Sequence, residues 1–220
     1  MPAITQGLKP GTVILLGALA VSAVAAWARS TTSDQRAPPL AQPRVTAAPE
    51  SMQQALERAR GDLALAQLRI ERSDAIIGYS TRYRITADLS AAIYDVALAE
   101  GLDPALAFSL VQAESRFTPT AASAAGAIGY TQILLSTARL YEPGLTTRQL
   151  YDRTTNLRLG FRYLRDLLER YDGSPEGQLR LALLAYNRGP ARVQELLDAG
   201  RDPQNGYATT VMNGYRRRKS

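Results

Sequence analysis

Glu114-Ser115-Arg116-Phe117-Thr118-Pro119-Thr120-Ala121-Ala122-Ser123-Ala124-Ala125-Gly126-Ala127-Ile128-Gly129-Tyr130-Thr131-Gln132 is the stretch on which the fold turns. It starts at the end of an apolar helical pattern and runs into a loop of small residues. Leu110 and Val111 precede Glu114 by four and three positions, Ala107 precedes it by seven, and Phe117 follows by three. At helical spacing these residues share one face with the acid. A carboxylate among Leu, Val and Phe is poorly solvated, so its pKa rises. A carboxylic acid with a raised pKa can donate a proton near neutrality. The competing reading is a surface glutamate whose side chain reaches water. In the loop, glycines and small residues let the backbone approach a ligand or a neighbouring helix. Ser115, Ser123, Tyr130, Thr131 and Gln132 supply neutral hydrogen-bonding groups, the kind that sugar hydroxyls and acetamido groups require. Residue types alone fit a flexible Ala-rich surface loop equally well.

Composition removes many chemistries. The chain has 220 residues with no Cys and no His. Ser-His-Asp and Cys-His nucleophile systems, zinc sites built on Cys or His, and disulfide frameworks are therefore excluded. Acids, amides, hydroxyls and arginine remain, and nothing in them calls for a metal or a cofactor. The net charge is +6, almost all of it arginine, with lysine only at Lys9 and Lys219. That balance suits an acidic partner such as an anionic wall polymer, anionic lipid or nucleic acid. Nucleic acid is not the expected partner. The arginines show neither aromatic interleaving nor a recognisable DNA-reading motif.

The chain divides into four stretches. Residues 1–28 read as a signal peptide or membrane anchor: Lys9 precedes the uncharged run Thr12 to Ala28, and Ala26-Trp27-Ala28 fits a cleavage pattern. Arg29 and Arg36 follow on the far side, which disfavours a retained anchor. No Cys follows the run, so no lipidated N-terminus is expected. Residues 29–50 form a linker interrupted by Pro38, Pro39, Pro43 and Pro49. Residues 51–83 form an accessory segment, helical over 51–77, where Met52, Leu56, Ala59, Leu63, Ala66 and Ile70 recur at threes and fours. This stripe is expected to pack on the domain, with a partner-binding helix as the alternative.

Residues 84–220 form a compact, mainly α domain. Helices are predicted over about 86–100, stopped by Gly101, and from Asp103-Pro104 to beyond Glu114. An ordered loop or small hairpin follows over 118–132, then a short helix capped by Ser136. Further helices are predicted over about 154–171, 176–186, 190–199 and from Tyr207 onward.

The segment from Glu114 to Gln132 resembles the signature of the lytic transglycosylases with a goose-lysozyme-like fold. Glu114, Ser115, Phe117, Pro119, Ala121, Ser123, Gly126, Ala127, Gly129 and Gln132 stand in register with Glu-Ser-x-Phe-x-Pro-x-Ala-x-Ser-x-x-Gly-Ala-x-Gly-Leu-Met-Gln. Tyr130 and Thr131 depart from the usual Leu and Met, which puts the shape of the sugar subsite in question. Asn156 to Leu164 resembles the family's Asn-x-x-x-Gly-x-x-Tyr-Leu helix, and Ala185-Tyr186-Asn187-Arg188-Gly189 its Ala-Tyr-Asn-x-Gly turn. Tyr207, Val211 and Tyr215 resemble its closing Tyr-Val helix. Pro203 to Gly206 replace the Glu-Thr often found before that tyrosine.

The resemblance implies a lysozyme-like helical domain with the hairpin beside the catalytic helix. It also implies an exported enzyme that cleaves the MurNAc-GlcNAc bond of peptidoglycan and leaves 1,6-anhydromuramyl ends. By the same resemblance Glu114 is the catalytic acid, and Ser123, Gln132, Tyr186, Asn187, Ser115, Tyr130 and Tyr207 face the sugar; the alternatives are a backbone cap at the helix end for Ser115, a core aromatic with its hydroxyl satisfied for Tyr186 and a helix C-cap for Asn187. Asn156 is expected to be a helix N-terminal or turn residue, Gly126 and Gly129 to set backbone geometry. The implied location is the periplasm or cell envelope, with glycan strands and an envelope or secretion assembly as partners. Two rivals remain: a hydrolytic muramidase on the same fold, and a glycan-binding envelope protein without catalysis.

Overall fold

The computed structural model describes residues 51–174 and 177–216. The export run, the Pro-rich stretch and the expected helix start at Glu176 lie outside them. None of the helices described is long and apolar enough to cross a membrane.

Helix α1 (Met52–Tyr83) opens with a capping box between Ser51 and Gln54, and Arg84 closes it in the left-handed region. It runs six residues beyond the expected end. Its packing face is not the expected one. Ile76 and Tyr79 are its buried residues, while Met52, Leu56, Leu63 and Ile70 are exposed. Tyr79 stacks on Phe108, ring centroids 3.8 Å apart, and Tyr83 stacks on the same ring at 5.5 Å. Arg72 adds a bidentate pair to Asp95 (2.7 and 2.5 Å).

Thr86 caps α2 (Ala87–Ala99), and Asp103 with Pro104 starts α3 (Pro104–Ser115), as their sequences require. Eight of the twelve residues of α3 are buried, which makes it a central helix rather than a surface one. Helices α2 and α9 (Tyr207–Arg216) lie against it. Gly214 of α9 faces Ser109 so closely that a Cβ there would come 3.1 Å from its Oγ. Helix α6 (Arg153–Arg170) packs on α2 and on α7 (Gln178–Arg188), and α7 in turn on α8 (Pro190–Asp198) and α9. Glu100, at the end of α2, is buried and is paired by Arg162 (3.0 and 3.2 Å) and Arg165 (3.5 Å) of α6.

The loop after α3 contains the expected hairpin, reduced to two residues a side. β1 (Ala127–Ile128) pairs antiparallel with β2 (Ile133–Leu134), with Ile128 opposite Ile133. Beneath it lies a small apolar cluster of Ile128, Ile133, Ala138, Leu145, Leu150 and Leu159. The following short helix is α4 (Leu135–Ala138). Leu134 holds its N-cap position, so Ser136 lies within the helix and does not cap it. A further single turn, α5 (Thr147–Leu150), is capped by Thr146 and Gln149.

Candidate active site

Glu114 occupies the last turn of α3. The chain then leaves the helix through two consecutive left-handed residues, Arg116 (φ 50°) and Phe117 (φ 63°). Non-glycine residues adopt this conformation at a cost of about 1–2 kcal/mol each. Phe117 is therefore off the helical face assigned to it from spacing. It packs on Tyr83 at 5.1 Å, away from the acid. Ala107, Leu110 and Val111 are fully buried behind Glu114, as their positions predicted.

The carboxyl of Glu114 opens into a groove of about 240 Å³ lined by Ser123, Gln132, Leu134, Tyr186 and Asn187. An adjoining hollow of about 280 Å³ shares the last four of these and extends to Tyr163 and Arg188. Among the described residues no second Asp or Glu lines either space. Burial pushes the Glu114 carboxyl up to about 7 from an ordinary 4.5, while a hydrogen bond donated by Tyr207 pulls the other way. Desolvation wins because a charge in that setting lacks water and faces no cation. The same burial, with Glu114 nearby, holds the phenols of Tyr186 and Tyr207 well above their usual value, so both remain donors.

The other lining groups are fixed by their own bonds. Gln132 sits at φ 48°, and its amide donates to the carbonyls of Ala121 and Gly129 (3.0 Å each). Ser123 Oγ accepts from Ala127 N (3.0 Å). Tyr186 donates its hydroxyl to the Thr131 carbonyl (2.8 Å), its ring 5.3 Å from that of Tyr163. Asn187 Oδ1 accepts from Asn205 Nδ2 (2.7 Å), and Asn205 Oδ1 accepts from Tyr207 N (3.2 Å).

Three expected sugar-facing residues do not line the groove: Tyr207 is directed to the Glu114 carboxyl, and the other two lie elsewhere. Ser115 is buried, and its hydroxyl is directed to the carbonyls of Tyr130 (2.8 Å) and Val111 (3.2 Å). It pins the hairpin to the end of α3 and does not face the groove. Tyr130 is buried in the main core. Thr131 is fully buried as well, so both departures from the family pattern fall behind the loop, outside the groove lining.

Asn156 stands at the N-terminal end of α6, as expected, and also ties the hairpin to it. It is fully buried in the first turn of α6. Its Nδ2 donates to the carbonyls of Ile128 (2.9 Å) and Leu150 (3.0 Å), and its Oδ1 accepts from the N–H and hydroxyl of Thr131 (2.9 Å each). One amide thus fixes the hairpin to α6 at every polar atom it owns. The glycines around it explain themselves by contact. A Cβ on Gly129 (φ 73°) would lie 2.4 Å from Asn156 Nδ2, and one on Gly160 would lie 2.3 Å from Thr131 Oγ1. Asn205 was not foreseen. Its one sequence signal is its place two residues before Tyr207.

A lone acid at the buried end of a central helix, facing a groove floored by a short hairpin, defines a helical, lysozyme-like domain. Residues 91–205 match the family described as "Transglycosylase SLT domain", and the chain belongs to that family. A membrane-bound lytic murein transglycosylase C from Haemophilus influenzae is 35% identical over 114 residues, which is 46% of this chain and 31% of that protein. A transglycosylase of Enterobacteria phage PRD1 is 39% identical over 88 residues, covering 40% of this chain and 30% of its own. The crystal structure of the 70 kDa soluble lytic transglycosylase of Escherichia coli superimposes with a TM-score of 0.50 at 26% identity, over 64% of this chain and 26% of that one. The matches thus span about a third or less of each relative's own length.

Proposed function

We propose that the chain is an exported peptidoglycan lytic transglycosylase acting in the cell envelope, with residues 84–220 as its catalytic domain and Glu114 as its single catalytic acid. The observation that carries this reading is the Glu114 carboxyl, pushed up to about 7 by burial in a groove that no second acid lines among the described residues. A glycosidase that hydrolyses by the usual routes needs two carboxylates, one as acid and one as base or nucleophile. With one acid, both proton transfers pass through the same group.

In the first step Glu114 gives its proton to the glycosidic oxygen between N-acetylmuramic acid and N-acetylglucosamine, and the bond to the muramyl anomeric carbon breaks. In the second, the Glu114 carboxylate takes the proton from the muramyl C6 hydroxyl as that oxygen bonds to the anomeric carbon. A 1,6-anhydro ring results, no water is consumed, and Glu114 is protonated again. The attack is intramolecular, so the nucleophile acts at a high effective concentration. A pKa near 7 suits a group that must be acid and then base in one turnover.

The groove supports roles for its neighbours. Gln132 commits both amide hydrogens to the loop, leaving its Oε1 for a sugar hydroxyl or acetamido N–H. Ser123 faces the same strand. Tyr186 and Asn187, across from the acid, face the N-acetyl group and the charge that develops on the ring. Tyr207 steadies the Glu114 carboxylate between the two steps.

Digestion of purified sacculi by the chain, followed by product mass measurement, tests this reading. Anhydromuramyl ends are expected. Reducing ends would replace it with hydrolysis, and binding of strands without cleavage would replace it with a glycan-binding protein.

A further inference from the structure

The apolar stripe of α1 is not used by the domain it is attached to. From Met52 to Ile77 the spacing alternates three and four, with an apolar residue at every position except Ser73. Leu56, Leu63, Ile70 and Ile77 form one position of a seven-residue repeat; Met52, Ala59, Ala66 and Ser73 form the other. A repeat sustained over three or more heptads is the pattern of a helix that packs lengthwise on another helix. The four large residues of the first set are 49–61% exposed. The contrast is sharpest where α1 meets the domain: Ile76 is 7% exposed and its neighbour Ile77 is 59% exposed. The packing face carries Ile76, Tyr79 and Tyr83, and the stripe runs along an adjacent face of the helix.

We propose that this stripe binds the same stripe of a second copy of the chain, forming an antiparallel two-stranded coiled coil. Two features of the sequence select this occupant and orientation. The first is shape. Antiparallel pairing about a two-fold axis between residues 64 and 65 sets Leu63 against Ala66 of the second copy. It also sets Ile70 against Ala59, Leu56 against Ser73 and Ile77 against Met52. In three of these four layers a large side chain faces a small one, so the helices approach evenly and the seam fills. Parallel pairing would stack Leu on Leu and Ala on Ala, leaving gaps at every second layer. The second feature is charge. Asp62 and Arg69 flank the seam, and the antiparallel arrangement brings Asp62 of each copy beside Arg69 of the other, twice by symmetry.

Sedimentation equilibrium of the full chain tests it. Twice the monomer mass is expected at tens of micromolar, and the double variant Leu63→Arg/Ile70→Arg should return to the monomer with its thermal unfolding unchanged in the catalytic domain. The sequence has no cysteine, so cross-linking has no background. Under mild oxidation, Ala59→Cys mixed with Ile70→Cys should give a disulfide between the two variants. A covalent dimer of either variant alone would mean parallel helices and would overturn the proposal. A monomeric wild type would overturn it too, leaving the stripe to residues 1–50 or to a different protein. So would a dimer that survives the arginine substitutions.

Discussion

Replacing Tyr207 by Phe should move the ionisation of Glu114 upward. The phenol donates to the Glu114 carboxyl, and a hydrogen bond to the charged form holds the pKa down. Desolvation, the larger influence, stays in place because the ring remains. A hydrogen bond to a charged group is worth about 1.5–3 kcal/mol. At 1.36 kcal/mol per unit, its loss shifts the pKa by about 1–2 units. The acid pushed up to about 7 in the wild type would then titrate at higher pH. Two measurements read this. The carboxyl carbon of Glu114, assigned by difference against Glu114→Gln in labelled protein, reports it directly. The alkaline limb of kcat/KM on soluble glycan strands reports it through activity, because the free enzyme must carry the proton. Both midpoints should move to higher pH together. A midpoint that stays put, or moves toward acid, would refute the assignment of Tyr207 as the group that stabilises the carboxylate.

Three further substitutions separate chemistry from architecture. Glu114→Gln should abolish strand cleavage while the fold persists. The native state keeps a proton on Glu114 that the unfolded chain releases, so wild-type stability falls as pH rises from 4.5 to about 7. That loss amounts to about 3 kcal/mol, and the Gln variant should escape it. Its melting temperature should therefore exceed that of the wild type at pH 8 and approach it at pH 4.5. Asn156→Ala removes the partner of the Thr131 N–H and of the Ile128 and Leu150 carbonyls, all at a buried site. It should cost about 4 kcal/mol, a drop on the order of 10 °C in a thermal melt. Gly160→Ala should cost about 2–3 kcal/mol and reduce activity by shifting the hairpin. Adding Thr131→Ala should not rescue it, because the Thr131 Cβ itself lies 2.4 Å from the new methyl.

What could be read from the sequence was what depends on neighbours along the chain. Asp103-Pro104 starts α3, Gly189-Pro190 separates α7 from α8, and both boundaries lie where those residues place them. The raised pKa of Glu114 followed from Leu110 and Val111 one turn back. Direction was harder to read than register. Ser115 holds its motif position yet satisfies two carbonyls, and Tyr130, standing where the motif has Leu, fills the core as a leucine would, because a motif fixes spacing and not which way a side chain points. Phe117 was misplaced for a related reason: helical periodicity assumes the helix continues, and two left-handed residues end it first. The one-turn α5 offers too few residues for a period to register. The stripe of α1 showed that something should cover it. Only the structure shows that the domain uses an adjacent face, the one carrying Ile76 and Tyr79.

Tyr207 reaches Glu114 from a helix that is synthesised 93 residues later. While the ribosome is still making the chain, the acid therefore exists without the phenol that tempers it and without the α9 face that closes over Ser109. A fragment that stops short of Tyr207 carries the signature loop but not the finished reaction centre. The proposed reaction centre is therefore complete only once α9 has docked against α3.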